Sequence, residues 1–152
     1  HTDITDFNEQ QLRKIRRKVT MVFQNGALFD SLTVAENILF SLELREDYNE
    51  QNREDVVAGL LRMVDLEEFA DAYPTDLSVG YKRAVAIARA LAAQPECVLY
   101  DEPTTMVDPI MSAHLSGLMQ RLKKQLKLTS VIVTHDLDLM EQVADRVVVL
   151  HK

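Results

Sequence analysis

Glycine, proline and cysteine are scarce in this chain of 152 residues, which contains 4 glycines, 4 prolines and 1 cysteine. The low glycine and proline contents exclude collagen-like and low-complexity scaffolds. The single cysteine, Cys97, excludes an internal disulfide framework and fits a reducing compartment. Because hydrophobic residues still make up 47% of the chain, we expect one globular unit with a real core.

The positions of the four glycines exclude one common phosphate-binding motif. They fall at Gly26, Gly59, Gly80 and Gly117, and no two of them are five residues apart. The loop G-x-x-x-x-G-K-[ST], whose backbone amides surround phosphate groups, therefore does not occur in this sequence.

Positive charge is also in deficit, with 17 lysines and arginines against 24 acidic residues and a net charge of -7. This balance disfavours a nucleic-acid binder, because neutralising phosphates requires clustered basic residues. The longest apolar runs, such as residues 147–150, are far too short to span a membrane. Scattered histidines and the lack of a cysteine pair disfavour a structural zinc site.

Residues 30–92 are predicted to be almost entirely helical, and residues 1–29 combine a helix with a strand. Residues 8–16 predict a basic helix, and residues 19–23 predict a short strand that ends at Gln24. Thr33 and Glu36 have the spacing of a capping box, and Ser78 is a candidate N-cap of a long helix. Further helices are predicted near residues 56–64 and 66–73.

After residue 95 the pattern changes to continuous apolar runs separated by helices. The runs at 97–100, 131–133 and 147–150 predict strands, with an amphipathic helix around Met111 to Leu122 and another at 137–144. Continuous apolar strands are typical of a parallel sheet that is covered on both faces. The fold class is therefore α/β.

Acidic residues and a histidine follow two of these strands. Asp101 and Glu102 come directly after the run at 97–100, and His135 follows the run at 131–133. Because the carboxyl ends of parallel strands share one edge, we expect the three side chains to meet there. Adjacent acids on an extended segment point to opposite sides. One can therefore hold Mg²⁺ while the other faces a reacting water.

Each of these residues also has an ordinary structural interpretation. Acids after strands are common, His135 fits the start of a helix, and Ser78 is a helix cap before it is anything else. Only the order and the spacing of the set distinguish the two interpretations.

That order resembles the nucleotide-binding subunit of ABC transporters from about residue 19 to residue 151. The matching segments are Gln24 for the Q-loop, Leu77-Ser78-Val79-Gly80-Tyr81 for the signature motif, residues 97–102 for Walker B, residues 105–108 for the D-loop and His135 for the switch histidine. The resemblance implies a partial P-loop NTPase (RecA-like) parallel sheet with an inserted α-helical signature subdomain, in which the N-terminal β subdomain and the P-loop strand of the family are missing. It divides the chain into a core piece at 1–29, a helical subdomain at 30–92 and an α/β core at 93–152.

The resemblance also implies roles for individual residues in ATP hydrolysis with Mg²⁺. Asp101 would hold the metal, Glu102 would be the catalytic base, and His135 would contact the γ-phosphate. Gln24 would join the metal site to a transmembrane partner, and Asp108 would lie at the seam of a dimer.

The signature motif departs from the family pattern at two positions. Val79 replaces a glycine and Tyr81 replaces the usual glutamine. Ser78 and Gly80, which would touch phosphate together with Val79, are retained. In the family this element closes on ATP held by a second copy, so the active unit would be a head-to-tail dimer.

A narrower resemblance is to the ATPases of Mla-type phospholipid and organic-solvent-tolerance transporters. It depends on residues 23–29, 32–38 and 108–110. It implies transport of lipid or hydrophobic compounds, with permease subunits that dock near Gln24 to Asp30 on the cytoplasmic face of a membrane.

Two expectations follow from the family pattern at the ends of the chain. The phosphate loop of the family lies upstream of its Q-loop, so we expect that this sequence is part of a larger ATPase and that it does not hydrolyse ATP alone.

Two alternative functions remain: a soluble ABC ATPase of DNA repair or translation, and a non-catalytic interaction module.

Overall fold

A computed structural model of the protein describes residues 3–43, 45 and 48–151. Its α-helices are α1 (Glu9–Arg16), α2 (Val34–Glu43), α3 (Arg53–Met63), α4 (Val79–Ala92), α5 (Pro109–Leu126) and α6 (Leu137–Val143). Its strands are β1 (Val19–Val22), β2 (Cys97–Asp101) and β3 (Thr129–Val133). Single turns of 3-10 helix occur at Glu50–Asn52, Glu67–Phe69 and Pro74–Asp76.

The three strands form a parallel sheet in the order β1-β2-β3. The register aligns Val22 with Tyr100, and Tyr100 with Ile132. The next pair along β2 and β3 is Asp101 and Val133. The predicted α/β fold with a parallel sheet is confirmed.

The two faces of the sheet are not equally covered. Val22, Val98 and Tyr100 are buried under the helices. On the opposite face, the side chains of Val131 and Val133 in β3 are 50% and 61% exposed. The expectation that both faces are covered is therefore wrong for the described residues, because the face with Val131 and Val133 is open at β3.

The predicted strand at residues 147–150 does not form. These four residues have no regular structure, and their side chains are 52% to 93% exposed. In the part of the chain that the structure describes, the sheet ends at β3, and this segment has no strand as its backbone partner although the outer edge of β3 is unpaired. An extended segment without such a partner gains nothing from strand geometry.

The predicted helix at residues 66–73 is also wrong, since only the single turn Glu67–Phe69 is helical. The backbone of this segment bonds elsewhere: the amide of Val34 donates to the carbonyl of Ala72 at 2.9 Å, and the amide of Ala35 donates to that of Ala70 at 2.9 Å. The segment thus satisfies the first amides of α2, which have no partners within their own helix.

The capping box before α2 is confirmed. The amide of Thr33 donates to the Glu36 carboxylate at 2.7 Å, and the amide of Glu36 donates to the Thr33 hydroxyl at 3.2 Å. Both ends of the reciprocal pattern are therefore present, which fixes where α2 begins.

Helix α4 is the centre of the core. Ten of its 14 residues are buried, and five of those are alanines. Small side chains allow α2, α3, α5 and β1 to approach it closely. Among the described helices, none combines the length and the apolar character that a membrane crossing needs.

Gly80 brings the start of α4 against the start of α5. A Cβ atom at Gly80 would overlap the side chain of Met111. A Cβ atom at Gly59 or Gly117, both within helices, would meet no neighbour within 4 Å.

We therefore predict opposite effects of alanine at these glycines. Gly80→Ala overpacks the contact with Met111 and lowers the free energy of unfolding by about 1–3 kcal/mol. Gly117→Ala and Gly59→Ala raise it by about 0.5–1 kcal/mol, because alanine costs less conformational entropy in a helix. Urea denaturation measures all three variants. Equal stability of Gly80→Ala and Gly117→Ala would contradict the packing at Met111.

Candidate functional site

Glu102 and His135 meet at the carboxyl end of the sheet. The amide of Glu102 donates to the carbonyl of Val133 at 2.9 Å, which continues the β2–β3 pairing by one residue. The Glu102 carboxylate (Oε1) then lies 2.9 Å from Nδ1 of His135. The parallel register thus brings together two residues that are 33 positions apart in the sequence.

The backbone of Glu102 has an unusual conformation for a residue with a side chain. Its φ is 46°, in the left-handed region. Such a conformation costs about 1–2 kcal/mol per residue. The turn that follows holds it: the Thr105 hydroxyl donates to Oε2 of Glu102 at 2.9 Å, and the Thr105 amide donates to the Glu102 carbonyl at 3.3 Å.

The pair shifts the acid–base properties of both partners. Burial by itself raises the pKa of Glu102, but the hydrogen bonds from His135 and Thr105 and the charge of His135 outweigh it, so the pKa lies below its usual 4.5. The hydrogen bond and the charge of Glu102 raise the pKa of His135 above 6.5. Glu102 is therefore a carboxylate at neutral pH, with a proton donor beside it.

Asp101, which we expected to meet Glu102 and His135, instead lines a groove of about 460 Å³ together with Gln24, because adjacent side chains at the end of a strand point to opposite sides. The other residues that line it are Phe23, Asn25, Val79, Lys82, Arg83 and Met106. Asp101 is the last residue of β2, and Gln24 lies in the turn that follows β1. A carboxylate and a side-chain amide oxygen thus face the same space at the carboxyl ends of neighbouring strands.

The oxygen ligands in this groove, from Asp101 and Gln24, fit Mg²⁺ better than a metal whose ligands all come from the protein. Among the described residues, no group of three or more His, Cys, Asp or Glu could hold a metal ion. Mg²⁺ is usually bound through one or two carboxylates together with phosphates of its substrate. Asp101 with Gln24 offers such a partial set of hard oxygen ligands.

Two arginines of α4 hold the turn that contains Gln24. Arg83, which is buried, donates to the carbonyl of Phe23 at 3.2 Å. Arg89 donates to the carbonyls of Gly26 and Ala27 at 2.9 and 2.7 Å. Burial lowers the pKa of both guanidinium groups below its usual value, yet arginine stays charged at neutral pH. Charged donors thus fix the position of the turn.

The start of α4 is open to solvent at its first residues. Ser78 is an exposed N-cap whose hydroxyl accepts from the amide of Tyr81 at 3.3 Å, and Val79 is exposed as well. Gly80 is buried, and its close contact is with Met111 of the same chain. The helix therefore presents Ser78 and Val79 outward.

The two departures from the family signature pattern are accommodated without strain. Val79 begins α4 and has no positive φ. The ring of Tyr81 packs on Phe69 with centroids 5.0 Å apart. Tyr81 therefore makes its contact inside the helical part of the molecule.

Asp108 is the exposed N-cap of α5, and its carboxylate accepts from the amide of Met111 at 3.0 Å. The structure thus brings Glu102 into contact with His135 and brings Gln24, Asp101 and Val79 to one groove. Ser78 and Asp108 lie at the exposed starts of separate helices. Those two helices touch through Gly80 and Met111.

A family model described as "ABC transporter" matches residues 1–105 of the chain. The chain belongs to the ABC transporter family. The family model and the parallel α/β fold thus agree with the resemblance that the sequence motifs indicated.

Curated relatives and solved structures agree with this assignment. Methionine import ATP-binding protein MetN of Bifidobacterium longum is 42% identical over 98% of this chain and 37% of its own length. Its namesake MetN 2 of Rhodococcus jostii is 43% identical over 97% of the chain and 43% of its own length. The chain therefore spans about two fifths of the length of these relatives.

Two ABC structures have the same fold. The dimeric ATP-binding cassette MJ0796 in a post-hydrolysis state bound to ADP and Pi has a TM-score of 0.77 and 35% identity, covering 91% of this chain and 61% of that one. The structure of cbiO1 from Clostridium perfringens, part of the ABC transporter complex cbiONQ, has a TM-score of 0.80 and 29% identity, covering 88% and 53%.

Sequence reasoning missed the residues that support the site. Thr105 bonds to Glu102, and Arg83 and Arg89 bond to the turn that carries Gln24. Arg83 and Arg89 leave no local pattern in the sequence, because their partners are backbone carbonyls of a distant turn. The two threonines directly after Glu102-Pro103 were the one visible signal.

The contact between Glu102 and His135 predicts a distinctive pH dependence. We expect NMR titration to give a pKa of His135 above 6.5 and a lower pKa in Glu102→Gln, because the hydrogen bond to the carboxylate and its charge are lost. The raised pKa of His135 contributes stability that is lost as the pH rises through it, and the lowered pKa of Glu102 contributes stability that is lost as the pH falls through it. The contribution of the pair is therefore complete between pH 4.5 and 6.5.

Glu96→Gln is the matched control for this titration, because the Glu96 carboxylate pairs with Lys18 at 2.7 Å and not with His135. An unchanged titration of His135 in Glu102→Gln would show that the two side chains do not interact in solution.

Proposed function

We propose that this chain forms the part of an ABC ATPase that activates water for ATP hydrolysis, in the ATP-binding subunit of a membrane transporter. The observation that carries the proposal is the 2.9 Å contact between Glu102 and His135 at the carboxyl edge of the parallel sheet. An ionised carboxylate at this edge can accept a proton from an attacking water, which is the role of a general base.

In the proposed reaction, water attacks the γ-phosphorus of ATP, the bond from that phosphorus to the bridging oxygen of ADP breaks, and the Glu102 carboxylate takes a proton from the water. Glu102 accepts a hydrogen bond from that water and orients it, because its lowered pKa keeps it ionised. His135 uses Nδ1 for Glu102, which leaves Nε2 for a phosphate oxygen. When bound, Mg²⁺ would neutralise phosphate charge, and Asp101 and Gln24 are the residues that would hold it.

The exposed start of α4 would bind nucleotide on a second copy of the ATPase. Unpaired amides and the positive end of a helix favour phosphate, and Ser78 adds a hydroxyl. Val79 and Gly80 would contribute backbone amides, and Asp108 would lie at the seam between the copies. The similar cassette MJ0796 has been solved as a dimer, which supports a dimer here, and the resemblance to the family implies that its two copies pair head to tail.

The proposed membrane partner is a pair of permease subunits that dock near Gln24 to Asp30. Phe29 and Phe40 support this location, because both rings are partly exposed and pack edge to face with centroids 4.8 Å apart. Asn37 fixes the loop that carries Phe29 through two hydrogen bonds to its backbone, at 2.9 and 3.1 Å. The chain would then act on the cytoplasmic face of the membrane.

The transported compound has two candidates. The names of the MetN relatives favour methionine import. The resemblance of residues 23–29, 32–38 and 108–110 to Mla-type ATPases is the remaining argument for lipids or other hydrophobic compounds, and the curated relatives do not support it. Neither compound would touch the ATPase, so uptake of labelled methionine and transfer of labelled phospholipid by the complete transporter distinguish the two.

The catalytic part of the proposal predicts the effect of one substitution. In a complete ATP-binding cassette that carries this chain, Glu102→Gln lowers kcat about 10²- to 10⁴-fold, because an amide cannot act as the base. Steady-state phosphate release measures it. Glu96→Gln, which changes an exposed acid at the other end of β2, keeps the kcat of the unmodified protein. Full activity of Glu102→Gln would remove Glu102 from the mechanism.

The docking part of the proposal predicts a separate loss. Phe40→Ser removes one ring of the Phe29–Phe40 pair and lowers co-purification of the ATPase with its permease subunits, while phosphate release by the isolated cassette stays unchanged. Val56→Ser is the control, because Val56 is a similarly exposed apolar residue on α3. Equal recovery of permease by both variants would place the dock elsewhere.

A further inference from the structure

We propose that Thr104 and Asp136 are positioning residues that hold Glu102 and His135 together. Their side chains join the turn after β2 to the segment after β3, one on each side of the pair. This inference rests on the proposed function of Glu102 and His135, although the contact itself can be tested without ATP.

His135 needs such support because packing does not provide it. Its side chain is 78% exposed, whereas that of Glu102 is 20% exposed. A ring that is mostly in solvent keeps its rotamer only if polar contacts or its own backbone hold it. The 2.9 Å bond to Glu102 therefore depends on where the chain before and after His135 is fixed.

Asp136 fixes the chain on one side of His135. Its Oδ1 atom accepts from the amide of Leu139 at 3.1 Å and so caps α6. Its Oδ2 atom accepts from the Thr104 hydroxyl at 2.7 Å. The Asp136 amide donates to the Thr134 hydroxyl at 3.0 Å, so both neighbours of His135 are held. These bonds also lower the pKa of Asp136, so that it is ionised at neutral pH.

Thr104 fixes the other side, in the turn that carries Glu102. It is only 6% exposed, and its carbonyl accepts from the amide of Val107 at 3.2 Å. A hydroxyl bonded to a carboxylate is a charge-assisted bond, which is stronger than a neutral one. Together with the bond from the Glu102 amide to the Val133 carbonyl, it makes a second cross-link between the two loops.

Neither residue contacts the water or the phosphate in the proposed reaction. The role of both is to set the distance between the Glu102 carboxylate and Nδ1 of His135. Loss of the Thr104 bond therefore weakens that contact and lowers kcat, whereas the affinity for ATP is unchanged. A displacement of about 1 Å in a catalytic group can cost 10²-fold in rate.

The first test uses the 152-residue chain and the ring nitrogens of His135. In the unmodified chain at alkaline pH, ¹⁵N NMR shows the ring proton on Nδ1, because Glu102 accepts from that atom. Thr104→Val removes the hydroxyl at nearly constant volume, and the His135 signals move to the averaged values of an unrestrained ring. Thr104→Ser keeps the hydroxyl and retains the original signals.

Ser116→Ala is the matched control for the loss of a buried hydroxyl. Ser116 is buried in α5, and its hydroxyl donates to the Ser112 carbonyl at 2.9 Å, away from the pair. Its removal leaves the His135 signals unchanged. If Thr104→Val does not fold, Thr104→Ala serves in its place. Unchanged His135 signals in a folded variant without the hydroxyl would overturn the inference.

The second test measures kinetics in a complete cassette that carries this chain. Thr104→Val lowers kcat about 10- to 100-fold with the KM for ATP within twofold, and Thr104→Ser restores kcat. An unchanged kcat in Thr104→Val overturns the inference alone if Glu102→Gln is inactive in the same assay. Full activity of Glu102→Gln instead overturns the proposed function, while the NMR result still decides the contact.

Discussion

The close packing around helix α4 is the constraint on which the other elements depend. Its alanines and Gly80 let two helices, a strand and the start of α5 approach within contact distance. The same helix carries Arg83 and Arg89, which bond to backbone carbonyls of the turn after β1. Ser78 at the exposed start of α4 and Gln24 in that turn therefore belong to one rigid unit.

The parallel register of β2 and β3 is the second constraint, because it places Glu102 beside His135. It aligns Asp101 with Val133, so the chain leaves both strands at the same level. Glu102 then takes a left-handed conformation that its own sequence does not favour. Strain at a single residue is tolerated when the surrounding structure over-determines it, and here the bonds of Thr105 and His135 supply that restraint.

Local sequence patterns predicted correctly those features that depend on interactions between residues close together in the chain. The capping box of Thr33 and Glu36, the helix start at Ser78 and the strand before Asp101 follow from spacing within a few residues. The segment at 66–73 was predicted wrongly because its carbonyls serve a different helix, and that at 147–150 because a strand needs a neighbour. Both outcomes depend on contacts with distant parts of the chain, which the residues of the two segments do not reveal.

The contacts that complete the site are beyond such patterns for the same reason. The Thr104 hydroxyl and the Asp136 carboxylate are 32 residues apart, and their bond exists only because two parallel strands end side by side. As a sequence feature, Asp136 is a helix cap and Thr104 is one of two threonines after a proline. In the folded chain, Asp136 therefore both caps α6 and links the segment after β3 to the turn after β2. For this reason, the family pattern predicts Glu102 and His135 as site residues, whereas only the three-dimensional structure shows which contacts hold the exposed histidine beside the carboxylate.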